Sequence, residues 1–347
     1  MVSRLPLATT LSGLLTGLLA LLPSPASSAA ELQHMAGRTM GTTWSVTLEV
    51  DEDRLPTLRA GVEDRLDQVV AQMSTWEPDS NLSRYNRAPA GSWHALPAET
   101  LQVMEAALDL AEASRGAFDP TVGPLVDAWG YGPAGPLEAG VTPDADALAR
   151  ARARVGWQRL RLDDGGRLLQ PGEVRVDLSA IAKGFAVDRV AEWLLAEGVD
   201  AFLAEVGGEL RGHGHKPGGS PWRVAVERPA PDDSRLDDVQ LVVRLDGLSI
   251  ATSGDYRRRD RVGGHLVSHL VDPRSGEPVT HPLAAVTVLH PQAMHADALA
   301  TTLHVLGPRE GLEWARSRGL AALLVWRNGN GFASAMTDAF ATHVEAP

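Results

Sequence analysis

The chain has 347 residues, 44% hydrophobic and 22% charged, with a formal net charge of −12. That length and balance suit one large or two small packed units and exclude global disorder. The acidic surplus excludes general nucleic-acid binding, which needs a basic footprint. The absence of cysteine excludes disulfides, zinc–thiolate sites, a thiol nucleophile and a lipoprotein anchor.

Taken in chain order, the first feature is a short start carrying Arg4, then the apolar run Leu11–Leu22 and the small-residue stretch Pro23–Ala30. The run is too short to span a bilayer as a mature helix, so residues 1–30 read as a secretory signal cleaved after Ser28 or Ala30. No twin-arginine pair is present, which favours the ordinary export route and a periplasmic or otherwise exported product. Residues 31–347 read as one α+β unit of short strands packed with helices, with no internal repeat and no clean boundary. Leu58, Val62, Leu66, Val69 and Met73 predict an amphipathic helix, and Leu101, Met104, Leu108 and Ala111 a second. Thr142-Pro143-Asp144 predicts a helix start, with the threonine hydroxyl as cap. Val187, Val190, Leu194 and Leu195 predict a helix ending near Gly198. Strands are expected at 202–206, 222–227, 240–245, 285–289 and 321–326. Hairpin turns are expected at Asp163–Gly166 and Asn328–Gly331, and exposed loops at 217–221 and 229–233.

Two stretches carry chemistry. Asp177-Leu-Ser-Ala-Ile-Ala-Lys-Gly184 reads as a strand turning into a helix, with a carboxylate, a lysine and a glycine that permits close approach. In Met294-His-Ala-Asp297-Ala-Leu-Ala-Thr301 a carboxylate and a hydroxyl stand at i and i+4, on one helix face one turn apart. Oxygen ligands beside a lysine suit a hard divalent cation and a phosphate, hence phosphoryl transfer on a nucleotide-like substrate. Six further clusters set glycine or small residues beside a polar group: Met40–Thr43, Ser74–Ser80, Gly116–Pro124, Glu205–Gly208, Ala251–Tyr256 and Ser268–Pro273. Such spots let backbone amides approach a phosphate or a ring, though ordinary turns use the same residues. The run Tyr256–Arg259 reads either as an anion patch or as a solvated strand end. His213-Gly-His215 lacks matching carboxylates and reads as a solvated loop.

As an ordered set, "MGTTWSV", "STWEPDSNLSRYN", "GAFDPTVGPLVDAWGYGP", "VDLSAIAKGFAVDRV", "ATSGDYRR", "SHLVDPRSG" and "ADALATTLHVLG" resemble the FAD:protein FMN transferases, the ApbE family. The resemblance covers nearly the whole mature chain. It implies a mixed α/β, T-fold-like unit that is exported and binds FAD and Mg²⁺. The implied reaction moves the FMN half of FAD onto a threonine or serine of an acceptor protein, with a phosphoester formed and AMP released. The implied acceptors are subunits of membrane redox complexes and other extracytoplasmic flavoproteins. A Mg²⁺-dependent FAD pyrophosphatase and a non-catalytic FAD-binding protein are the alternative readings.

Carried over by motif position, the resemblance implies metal ligands at Asp297, Thr301 and the backbone oxygens of Ala180 and Met294. It implies FAD contacts at Met40, Trp76, Ala117, Phe118, Asp119, Asp177, Lys183 and His269. Lys183 would assist at the phosphates, and His269 is the histidine nominated as base for the incoming hydroxyl. Plainer readings stand beside these: Asp297 as a first-turn acid favouring its helix dipole, Trp76 and Phe118 as core aromatics, Asp119 as a turn cap. Trp76 stands where the family often has tyrosine, which keeps stacking and loses a hydroxyl. Glu205 stands where an amide is frequent, which changes the local hydrogen bonding.

Overall fold

Met40 (φ 48°) and Gly41 (φ 72°) both lie in the left-handed region. Two such residues form the tight turn that matches the twist of an antiparallel pair. They join strand β1 (Leu32–Thr39) to β2 (Thr42–Glu49), whose Trp44, Val46 and Leu48 alternate inward. The computed structural model describes residues 32–137, 141–229, 239–255, 259–262 and 265–345, with backbone alone for 259–262 and 265–267. The signal expected at 1–30, loop residues 230–233 and the side chains of Tyr256–Arg259 lie outside the described residues.

Helix α1 (Leu55–Met73) buries all five residues of its predicted stripe. Helix α2 (Ala98–Ala113) buries Met104 and Ala111 as expected, but its seam also runs through Val103 and Ala107, leaving Leu101 and Leu108 half-buried. Helix α3 (Ala182–Ala196) leads to β3 (Phe202–Val206) and β4 (Glu209–His213). After β5 (Ser249–Gly254) and β6 (Leu283–His290) come helices α4 (Ala293–Leu306) and α5 (Pro308–Ser317), then β7 (Ala321–Asn328) and β8 (Gly331–Met336).

These eight strands form one sheet in which spatial order equals chain order, and every neighbouring pair is antiparallel. The sheet is narrowest in its middle. Only Leu210↔Ile250 and Arg211↔Ser249 pair β4 with β5. Each side of this seam follows one plan: two strands, an excursion carrying helices, two strands. The sequence shows no repeat because the plan is repeated in topology and not in residues.

Helix α3 packs on β3 and β4, α4 packs on β5 and β6, and the two helices lie against each other. On the helix side, Val286 and Val288 of β6 pack with Leu299 and Leu303 of α4. Ala285 and Leu289 point to the other face, where Trp222 and Val243 of the hairpin 222–245 and Phe340 pack. The period of two thus gives β6 a buried side chain at nearly every position. Leu283 joins the helix side because the register shifts between Leu283 and Ala285.

Several expectations change. The cap at 142–144 is Asp144, whose carboxylate accepts from Ala147 N (2.6 Å), so the helix starts at Ala145. Leu195 is 37% exposed and not part of the α3 seam. The segment before α3 is extended, with Val174, Val176 and Leu178 buried, but forms no strand. Its pairing partner is a side chain: Asn86 Nδ2 donates to Val176 O and Asn86 Oδ1 accepts from Val176 N, both 2.8 Å. His213 belongs to β4 and stacks on Phe202, with centroids 5.5 Å apart. Pro229 is buried, whereas 217–220 are exposed as expected.

Helices α3 and α4 meet at Gly184. A Cβ there would lie 2.2 Å from Ala293 O and 2.8 Å from Met294 Cα. Gly184→Ala gains up to about 1 kcal/mol of helix propensity. The overlap is with backbone that cannot step aside, and overpacking of this kind costs about 1–3 kcal/mol. The expected outcome is net destabilisation, read as a lower urea midpoint with an unchanged slope.

Candidate active site

The local path into α3 decides which oxygens are free. The amides of Ile181 and Ala182 both donate to Leu178 O, closing the first turn. Gly184 N then donates to Asp297 Oδ2 (3.0 Å) across the helix contact. In an uninterrupted helix that amide would serve the carbonyl four residues back. Ala180 O therefore accepts no hydrogen bond among the described residues.

A second crossing bond fixes α4. Its preceding residue, Gln292, contributes no side-chain cap. Asp188, one turn after Gly184 on α3, supplies it instead. Its Oδ1 accepts from Ala293 N and its Oδ2 from Met294 N, both at 2.9 Å. Arg211 of β4 donates to the same carboxylate at 2.8 Å. Two of the amides that a helix start leaves open are thus satisfied by a charged group, which also suits the positive end of the dipole.

One cleft of about 350 Å³ opens over the seam. Trp76, Ala117, Phe118, Asp119, Asp177, Ala180, Lys183, His269, Asp297 and Thr301 all line it. Met40 and Met294 do not. Met40 sits in the β1–β2 turn and packs half-buried on the main hydrophobic core. Met294 is buried in the first turn of α4, where its carbonyl points along the helix's own ladder.

Within the cleft, Asp297 is 5% exposed, and its Oδ1 accepts no hydrogen bond among the described residues. The nearest cation is Lys183, whose Nζ stands 3.9 Å away. Lys183 is instead held by Glu209 Oε1 at 2.6 Å. The Thr301 hydroxyl is likewise without a partner among the described residues, whereas its neighbour Thr302 donates to Ala298 O at 2.7 Å. Two other acids in the cleft each have Oδ1 occupied. Asp119 Oδ1 accepts from the amide and hydroxyl of Thr121 (2.7 and 2.6 Å), and Asp177 Oδ1 from the amide of Ser179 (2.8 Å). Both act as turn caps in the cleft wall. Glu205 caps the β3–β4 turn by accepting from Gly208 N at 2.8 Å.

Burial dominates the electrostatics. It pushes the Asp297 carboxyl above its usual range, opposed by the Lys183 charge and the Gly184 amide. Burial likewise raises Glu209, with Lys183 opposing. For Lys183, burial alone would favour the neutral amine, but the charges of Asp297 and Glu209 outweigh it and keep the ammonium. With both carboxylates ionised the trio carries one net negative charge, in a place where an unneutralised charge is costly.

Fitness for a divalent cation follows from the donor set. Asp297 Oδ1, the Thr301 hydroxyl and Ala180 O line one cleft and accept nothing among the described residues. Mg²⁺ prefers a few hard oxygens and keeps water or phosphate for the rest. Among the described residues no three His, Asp or Glu side chains form a metal cage, so a mixed set with one carboxylate is what this cleft offers.

Glu209 and Asp188 escaped the sequence reading. Glu209 directly follows the Gly207-Gly208 pair of a recognised cluster. Asp188 stands four residues after Gly184, on the same helix face, and that period was the available signal.

The ApbE family model matches residues 40–324. The chain belongs to the ApbE family. A Klebsiella pneumoniae protein named FAD:protein FMN transferase is 39% identical over 324 residues, covering 92% of this chain and 91% of its own. The apo flavinyl transferase ApbE of Pseudomonas stutzeri superposes with a TM-score of 0.83 at 41% identity, over 91% of this chain and 98% of its own. Flavin transferase ApbE from Vibrio cholerae gives 0.82 at 36% identity, over 90% and 99%. This ApbE member is accordingly an enzyme, a transferase, with the mixed α/β fold of those structures.

Two predictions follow from the scaffold behind the cleft. Asp188→Ala removes the α4 cap and leaves Arg211 without its carboxylate, a loss of about 2–4 kcal/mol from cap and buried pair together. Thermal unfolding is expected at lower temperature, with Asp188→Asn intermediate because its oxygen still caps. The second concerns His304, fully buried on α4, with Nδ1 3.2 Å from Ser253 O. Burial pushes it down to about 4, from about 6.5 in the unfolded chain. The neutral form is the folded one, so this contribution is complete above pH 6.5 and is lost as pH falls towards 4. The slope is about 1 kcal/mol per pH unit. Urea midpoints across that window should fall in the wild type and fall less in His304→Gln.

Proposed function

We propose that this chain transfers the FMN half of FAD to a threonine or serine hydroxyl of an acceptor protein, with Mg²⁺, outside the cytoplasm. The observation that supports it most is the convergence of three oxygens that accept no hydrogen bond among the described residues, on Asp297, Thr301 and Ala180, beside the Lys183 ammonium. That combination suits a bound pyrophosphate. The choice of FAD rests on the names of the relatives and on Trp76 in the cleft wall, whose 62% exposure offers an apolar face to a flat ring system, with the core residue Phe118 reaching the same wall.

In this reading Asp297, Thr301 and Ala180 O hold the cation, which would neutralise phosphate charge and stabilise the departing phosphate. Lys183 binds a phosphoryl oxygen, its head kept in place by Glu209. Trp76 and Phe118 orient the flavin, so that the FMN phosphorus faces the incoming hydroxyl. The acceptor oxygen forms a bond to that phosphorus as the bridging P–O bond breaks. AMP leaves with the bridging oxygen, and the hydroxyl proton passes to His269. Positioning and charge stabilisation carry most of such a reaction, because phosphoryl transfer asks for little covalent help. The acceptor we infer is a flavoprotein facing the same compartment, such as a subunit of a membrane redox complex.

The test is mass spectrometry of a threonine-bearing acceptor after incubation with enzyme, FAD and Mg²⁺, read for the mass of FMN and for free AMP. Release of FMN and AMP without any gain in acceptor mass would make the protein a pyrophosphatase. Asp297→Ala is expected to lower turnover by about 10²–10³-fold, since it removes the charged ligand. Thr301→Ala should be milder, because water can fill a neutral coordination position. Both variants should stay folded: without Asp297 the Lys183 ammonium keeps Glu209 as its partner, and the loss is limited to the hydrogen bond from the Gly184 amide. Near-normal Mg²⁺-dependent turnover in Asp297→Ala would remove the site assignment.

A further inference from the structure

A second depression, of about 450 Å³, adjoins the catalytic cleft. The two share Trp76, whose side chain is 62% exposed and stands between them. Arg87, Arg154 and Arg175 line this groove with Ser83 and Asn86, and among the described residues no acidic one lines it. The arginines are pinned in ways that leave charge available. Arg87 donates to Pro78 O at 2.6 Å and Arg154 to Glu173 O at 3.1 Å, both neutral backbone oxygens. Arg175 alone is neutralised, by Asp127 at 2.6 Å. Two fixed guanidinium charges therefore face an open groove in a protein whose net charge is −12.

We propose that this groove docks an acidic segment of the acceptor polypeptide and so delivers its hydroxyl to the flavin cleft; the proposal rests on the transfer reading above. A transferase acting on a protein must seat polypeptide next to its cleft, because the cleft itself holds the other substrate. The groove meets that need by position, through the shared Trp76. It meets it by charge as well. An acidic chain is repelled by the general surface and attracted here, which orients its approach. Arginine, with its planar fork of donors, is also the residue suited to pairing carboxylates in two-point contacts. The pyrophosphate is provided for elsewhere, at Lys183, Asp297 and Thr301, none of which reaches this groove.

Binding can be read without turnover, by fluorescence anisotropy of a fluorescein-labelled peptide. The probe contains a threonine flanked by aspartates, glutamates and glycines, and a matched peptide carries lysines instead of the acids. The wild-type enzyme, loaded with FAD and Mg²⁺, should bind the acidic peptide about tenfold or more tightly than the basic one, with the preference shrinking at high salt. Arg87→Glu/Arg154→Glu should weaken the acidic peptide about tenfold or more. Arg87→Lys/Arg154→Lys should stay within about threefold, and Arg87→Glu alone, at an exposed position, covers the case in which the double variant unfolds. FAD affinity should be unchanged in every folded variant. Acidic-peptide binding that survives charge reversal would overturn the proposal. So would a parallel fall in FAD affinity, or displacement of the peptide by AMP, either of which would assign these arginines to the nucleotide. Failure of flavin transfer to any acceptor would instead strike the transfer reading and leave this binding measurement standing.

Discussion

The approach of two helix backbones at Gly184 is the constraint on which the catalytic end depends. Only a residue without a Cβ lets α3 come this close to α4. Once it does, the Gly184 amide reaches Asp297, and the carbonyl of Ala180 is released from helix bonding. One turn further on, Asp188 reaches the open amides of α4. Arg211 ties the same carboxylate to the sheet. The ligand set is thus assembled by backbone contact first and by side chains second. That order suits a site whose donors must hold their geometry before any ligand arrives.

Charge balance explains the placement of Glu209. An ammonium left beside Asp297 alone would close on it and occupy the oxygen that faces the cleft. Glu209 draws the Lys183 head to 2.6 Å on its own side, leaving 3.9 Å to Asp297. Ionisation of both acids beside one lysine would leave a local negative surplus, which burial opposes by raising both carboxyls, so an anionic substrate enters more easily together with a cation. A divalent cation and a pyrophosphate would therefore each lower the electrostatic cost of the other in this cleft.

Legibility in the sequence followed the range of the interactions. The α1 stripe was readable because five apolar residues obey one period on one helix. Asp297 and Thr301 were readable as a pair for the same reason, four residues apart on α4. Strands β1 and β5 were not, since their small and polar residues, such as Thr39 and Ser253, become strand only by pairing with distant neighbours. The stretch Asp177–Gly184 reads as leaving a strand, and the residues before it do alternate, with Val174, Val176 and Leu178 buried. That segment lacks only a strand to pair with, a place taken by the amide of Asn86. Glu209 and Asp188 act through contacts 26 and 105 residues away in the chain, which no local window contains.

The narrow junction between β4 and β5 carries a thermodynamic consequence. Lys183 and Glu209 belong to the first half of the sheet plan, Asp297 and Thr301 to the second, and two residue pairs join the strands between them. A ligand held by Lys183 on one side and by Asp297 and Thr301 on the other would bridge the two halves, adding to the ties that α3 and α4 already make across the seam. Its binding energy then adds to the cohesion of the fold, by an amount that grows with the logarithm of its concentration over its dissociation constant. Substrate occupancy and resistance to unfolding become one coupled quantity, and the weakest line of the sheet is held most firmly while the enzyme is loaded.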